Sequence, residues 1–108
     1  MSGWITRNIE QQLSLLKRHA EILDALSKTE RPLGIIKLSK MTGHSPHLVR
    51  YSLRELENSE AIRPSPRGAT LTPKTKVFLA NLGREIGGIQ KSLDVFSGKL
   101  NSMDIKKK

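Results

Sequence analysis

From Trp4 to Ser27 the chain contains neither glycine nor proline, and Ile9, Leu13, Leu16, Ala20 and Leu23 recur in alternating steps of four and three. That spacing keeps side chains on one side of a 3.6-residue turn and predicts a long helix over about 4–27. Leu15, Ile22 and Leu26 lie on a neighbouring face, so the helix is expected to meet two surfaces rather than one. Thr29-Glu30-Arg31-Pro32 ends it, because proline bars the residue before it from helical geometry. Ile35, Ile36, Leu38 and Met41 then fit a helix of two turns, closed by Gly43, which takes a left-handed conformation without steric cost. Ser45-Pro46 starts another, since the serine oxygen accepts an orphan amide and proline presets φ at the first helical position. This third helix, to about Ser59, turns Val49, Leu53 and Leu56 inward and leaves His47, Arg50, Tyr51 and Arg54 on other faces.

After Glu60 the pattern changes. Ala61-Ile62-Arg63 and Ala69-Thr70-Leu71 flank Pro64-Ser65-Pro66-Arg67-Gly68, predicting two short strands and a turn. Thr72-Pro73 repeats the helix-start signal, and Leu79, Leu82, Ile86, Ile89, Leu93, Phe96, Leu100 and Met103 follow at alternating spacings of three and four. Such heptad spacing lays one continuous seam along a helix of about 73–103. Gly83, Gly87, Gly88 and Gly98 oppose that helix, with a break expected, if anywhere, at Gly87-Gly88; all four fall off the seam, and their small size would permit close approach of another chain. Lys106, Lys107 and Lys108 are expected to fray. The fold class is therefore mainly α with a small β-hairpin, α+β, in one domain over 1–108 with a core of about 15–82.

Charge sharpens this picture. Nineteen Lys and Arg against ten Asp and Glu give a formal net charge of +9, the footprint of a protein that meets phosphate or an anionic surface. There is no cysteine, which excludes disulfides, thiolate catalysis and Cys-ligated zinc. No apolar run is long enough for a signal peptide or a membrane span, so a cytoplasmic, nucleoid-associated protein with no membrane partner is expected. From Arg31 to Arg54 there are five cations, Arg31, Lys37, Lys40, Arg50 and Arg54, and no acid. From Ala61 to Arg84 there are again five, Arg63, Arg67, Lys74, Lys76 and Arg84, and no acid. Acids gather instead in the first helix and at Glu55, Glu57 and Glu60.

The run Leu38 to Ile62, LSKMTGHSPHLVRYSLRELENSEAI, with Leu38, Gly43, Ser45, Pro46, Val49, Leu53, Leu56, Glu57 and Ile62 in register, resembles the helix-turn-helix of winged-helix transcription regulators of the multiple-antibiotic-resistance and arsenic repressor kind. Ser65 to Lys74, followed by Phe78-Leu79, resembles their wing and the helix after it. The resemblance spans roughly Leu15 to Leu82. It departs from the family pattern at His44, Leu48 and Glu60, the last usually glycine, which implies a different exit from the third helix. What the resemblance implies is a sequence-specific DNA-binding regulator, reading the major groove with helix 46–59 and the backbone or minor groove with hairpin 61–71.

The residues support that expectation independently, because base edges and phosphates mostly offer acceptors and negative charge to an entering helix. Ser45 and His47 are assigned to phosphate or base edge, Arg50 and Arg54 to bases or backbone, and Tyr51 to phosphate or a thymine methyl. Lys40 would touch backbone from the second helix, and Arg67 would reach the minor groove from the hairpin tip. His44 and His47 straddle a helix start with no carboxylate to complete a metal shell, and His19 stands alone on the first helix, where a surface or partly packed role is expected. Gly83 to Ser92 lacks both the spacing and the preceding strand of a phosphate loop. No acid, base or nucleophile converges on a cleft, so no catalysis, metal or cofactor is expected. The partners expected are double-stranded DNA and a second copy, paired through the N- and C-terminal helices, since one reading helix contacts few base pairs. The alternative is a winged-helix module that binds a protein, or coats DNA without reading bases.

Overall fold

The structure, a computed structural model, describes residues 3–103. The expected fraying of Lys106 to Lys108 lies outside them. The order of elements is α1 (Trp4–Ser27), α2 (Ile35–Thr42), α3 (Pro46–Asn58), β1 (Ile62–Ser65), β2 (Gly68–Leu71) and α4 (Thr75–Ser102). The chain is thus mainly helical with one two-stranded antiparallel hairpin, and it divides into two compact units, Met1–Thr75 and Lys76–Lys108.

The first unit closes around Ile22, Leu23, Ala25 and Leu26 of α1, Leu38 of α2, and Val49, Leu53 and Leu56 of α3, with Leu33, Ala61, Ile62 and Ala69 completing the core. Each fully buried aliphatic side chain here is worth about 1.5–3 kcal/mol of transfer from water. Burial on α1 is confined to its C-terminal half. Of the stripe read first from the sequence, Leu23 is buried, Leu16 and Ala20 are half-buried, and Ile9 and Leu13 are exposed. The neighbouring set, with Ile22 and Leu26, shares the core with Leu23. The reason is length: α2 and α3 have 8 and 13 residues, too short to flank a 24-residue helix along its whole axis.

On α2 only Leu38 is fully buried, whereas Ile36 and Met41 face outward. Gly43 ends this helix in the left-handed region, φ 80°, and its N–H reaches the Ser39 carbonyl at 2.9 Å. The chain leaves α3 through a closed turn in which the Ala61 N–H bonds the Leu56 carbonyl at 3.0 Å and the Glu60 N–H bonds that of Glu57 at 2.9 Å. This double closure requires a left-handed residue after the cap, and Glu60 supplies it at φ 65°. The different exit expected from the absence of glycine does not occur. Glu60 adopts the glycine-type conformation, with its carbonyl held by Thr72 Oγ1 at 2.7 Å and its carboxylate paired with Lys74 Nζ.

The strands extend further towards the tip than the sequence suggested, leaving Pro66-Arg67 alone between the paired Ser65 and Gly68. Pro64 is tolerated within β1 because its partner Ala69 turns its own N–H and C=O the other way, to Leu33 at 2.9 and 3.0 Å. The missing proline donor is therefore never required. This bridge from Leu33 widens the hairpin on one side, and it brings the Leu33 backbone so close to Gly68, φ 131°, that a Cβ there would sit 2.4 Å from the Leu33 carbonyl carbon.

Within the first unit, Thr72-Pro73-Lys74 forms a turn rather than the first turn of α4. Thr72 Oγ1 accepts from the Lys74 N–H at 3.1 Å, and the Thr75 hydroxyl accepts from the Thr72 N–H while donating to the Ala61 carbonyl. The helix accordingly starts at Thr75, two residues later than expected. In the second unit α4 runs unbroken to Ser102 through all four glycines, so the break at Gly87-Gly88 is absent. From Leu79 to Met103 its seam is largely exposed, with Leu79, Ile86, Ile89, Leu93, Phe96, Leu100 and Met103 each 39% exposed or more.

Candidate nucleic-acid interface

The N-terminus of α3 is fixed by local chemistry. Ser45 has extended backbone, ψ 154°, and its Oγ accepts from the Leu48 N–H at 3.3 Å, with Pro46 in the first turn. The turn before it is tied at both ends: Ser39 Oγ donates to the His44 carbonyl at 2.5 Å, and Thr42 Oγ1 accepts from the His44 N–H at 3.3 Å. The imidazole of His44 lies 2.5 Å from Glu21 Oε1, linking the turn to α1. His44 thus ties the turn to α1 through a polar bridge.

From this anchored start, His47 is followed at helical spacings of three and four by Arg50 and Tyr51, and these by Arg54 at four and three, and all four are exposed. The opposite face, Val49, Ser52, Leu53 and Leu56, is buried, so the rotation of α3 about its axis is set by its core contacts. Lys40, in the last turn of α2, and Ser45 are exposed as well. Arg67 is exposed at the hairpin tip, where its N–H is held by Ser65 Oγ at 3.2 Å. Arg67 lines a shallow hollow together with Leu53 and Glu57 of α3, so the hairpin tip lies along the C-terminal turns of that helix. All seven residues singled out from the sequence are therefore on the surface of one unit, five of them on or capping α3.

Beneath this face is a polar cluster that the sequence did not disclose. Ser52 is fully buried, and its Oγ accepts from Arg18 Nε at 2.7 Å and lies 2.9 Å from His19 Nδ1. A hydroxyl that accepts from the guanidinium has its proton free for the imidazole, so the contact fits a neutral His19 carrying its proton on Nε2. Burial pushes the His19 pKa down, the Arg18 charge lowers it further, and Glu55 partly opposes both. His19 is thus neither on the surface nor partly packed, but 7% exposed. The guanidinium of Arg18 also lies 5.9 Å from the ring centroid of Tyr51, a cation–π distance, and Tyr51 itself is 44% exposed. An arginine of α1 thereby supports the ring that α3 presents outward. The signal for it was faint but present: Arg18 and His19 stand four residues before the buried pair Ile22 and Leu23, one turn along the same face.

Among the described residues no three His, Cys, Asp or Glu side chains come together to hold a metal ion, and no helix is long and apolar enough to cross a membrane. No known protein-family model matches the chain.

Proposed function

We propose that this protein is a winged helix-turn-helix regulator that binds double-stranded DNA, with α3 in the major groove and the β1–β2 hairpin, through Arg67, on the backbone or in the minor groove. The observation that carries this reading is the outer face of α3: His47, Arg50, Tyr51 and Arg54 form an exposed, acid-free row on a helix whose other face is locked by Val49, Ser52, Leu53 and Leu56. A row of donors and cations on a rigid helix matches the acceptors of the groove and the phosphates beside it. Lys40 and Ser45 flank the row as backbone contacts, and the acids at Glu55 and Glu57 fall towards the far end of the helix.

The regulator acts as a homodimer. Exposed apolar surface on the N-terminal half of α1, at Trp4, Ile5, Ile9 and Leu13, and separately along α4 provides area for a second copy, and two copies double the number of base pairs read.

Selection of duplexes from a random pool, followed by competition binding at fixed salt, tests the reading. A regulator prefers its selected site over random duplex by about 10³-fold or more. Arg50→Ala and Arg54→Ala each cost about 1–3 kcal/mol where the side chain grips a base. Binding that falls with salt but ignores sequence would instead identify a DNA-coating module, and absence of duplex binding would overturn the reading.

A further inference from the structure

The seam of α4 specifies its own partner. We infer that α4 pairs with α4 of a second copy as an antiparallel two-stranded coiled coil, centred near Lys91. This deepens the homodimer proposed above by naming the surface and its orientation. Alternating spacings of three and four, in heptad notation, put Leu79, Ile86, Leu93 and Leu100 at the a positions and Leu82, Ile89, Phe96 and Met103 at the d positions. The seam is exposed over most of its length, while Gly83, Gly87, Gly88 and Gly98 deprive the helix of intrinsic propensity, so a helix of this composition depends on packing to persist in water.

Orientation follows from the flanks. The g positions are Phe78, Glu85, Ser92 and Lys99, and the e positions are Lys76, Gly83, Gln90 and Ser97. A parallel pair would set Glu85 beside Gln90 and Ser92 beside Ser97, with no opposite charges meeting among the described residues. An antiparallel pair sets g against g, so that Glu85 meets Lys99 of the other copy twice by symmetry and Ser92 meets its own counterpart. The same register stacks Leu93 on Ile89, Ile86 on Phe96, Leu82 on Leu100 and Leu79 on Met103, covering every seam residue. A shift of one heptad either way leaves seam residues at the helix ends uncovered and separates Glu85 from Lys99. Covering both seams removes roughly 1,200 Å² from water, enough for a specific interface.

Sedimentation equilibrium of the full chain at about 10 µM is expected to give a dimer, and Leu93→Asp a monomer. Hydrogen exchange in the unit Met1–Thr75 should be unchanged in that variant, which separates loss of pairing from loss of fold. Glu85→Lys should weaken the dimer by roughly tenfold, and Glu85→Lys with Lys99→Glu should restore it. Because the chain lacks cysteine, single thiols report orientation. Ser92→Cys should cross-link between copies, whereas Leu100→Cys should not, its two copies lying about 27 Å apart along the axis at 1.5 Å per residue. A monomeric wild-type chain, a dimer indifferent to Leu93→Asp, or cross-linking through Leu100→Cys but not Ser92→Cys would overturn the inference. Duplex binding measured on the same proteins keeps the two questions apart, since a monomer that still binds its selected site leaves the DNA reading intact and removes only the pairing.

Discussion

Helices α3 and α4 carry the same kind of sequence signal, leucines and other aliphatics repeating every three or four residues, and meet opposite fates within the chain. On α3, Val49 and Leu56 are essentially inaccessible and Leu53 is 9% exposed, whereas on α4 Leu93 and Leu100 keep about half their surface. The difference lies not in the pattern but in what the chain supplies against it. α3 is met by α1, α2 and β1. Periodicity tells that a face wants cover; it does not tell whether the cover lies in the same molecule.

The largest test of this contrast substitutes one leucine in each region. Leu23→Ala in the first unit removes a side chain only 2% exposed and should cost about 2–5 kcal/mol, through lost transfer energy and the cavity left behind. Leu93→Ala should leave the unit Met1–Thr75 within about 0.5 kcal/mol of wild type, as for surface changes generally. Amide exchange of α3 measured on dilute, monomeric protein reads both. A loss of α3 protection in Leu93→Ala comparable to that in Leu23→Ala would show the contrast to be false. Next in size is Gly68→Ala. Overpacking and a positive φ each cost about 1–3 kcal/mol, and the added carbon would meet Leu33 backbone rather than a flexible side chain. Urea unfolding should report a loss of at least about 2 kcal/mol, whereas Gly43→Ala, with open space for its Cβ, should lose only the conformational part.

What could be read from the sequence was local. Ser45-Pro46 and Gly43 mark helix ends through bonds that span three or four residues, and the inward set of α3 follows from spacing alone, so the outward row of His47, Arg50, Tyr51 and Arg54 followed too. What escaped depended on distant partners. The bridge from Leu33 to Ala69, which makes Pro64 acceptable and Gly68 necessary, joins residues with no shared pattern. Ser52 reads as a neutral helix-surface residue until α1 brings Arg18 and His19 to it from more than thirty positions away. At Glu60 the reason is different: residue preference argues against the left-handed turn, but the Schellman closure and the bonds from Thr72 and Lys74 hold it there.

That buried cluster gives the next test. Ser52→Ala leaves Arg18 Nε and His19 Nδ1 without their partner, a loss of about 1–3 kcal/mol for stranded polar groups, and should also loosen Tyr51, seen as a changed ring environment by NMR. His19 adds a dependence on pH whose sign is fixed by its environment. Its folded pKa lies below the ordinary 6.5, so above 6.5 neither folded nor unfolded chain binds the proton and the full stability is present. As pH falls below 6.5 the unfolded chain takes up the proton first, and stability declines until the folded pKa is passed. Urea unfolding between pH 7.5 and 5 should show this decline, and His19→Gln should flatten it. An equal slope in both proteins would mean that another group sets it.

The smallest effect bears most directly on α4. Gly87 and Gly88 occupy b and c positions, away from the seam, and a Cβ at either meets nothing within 4 Å. Gly87→Ala should therefore stabilise the helix by about 1 kcal/mol, raise helical signal in circular dichroism, tighten self-association correspondingly, and leave the unit Met1–Thr75 untouched. The opposite sign would be equally informative. If alanine at 87 weakened association, the glycine face rather than the leucine seam would be where two backbones approach. Unlike α3, α4 would then place its partner surface along its smallest residues rather than its largest.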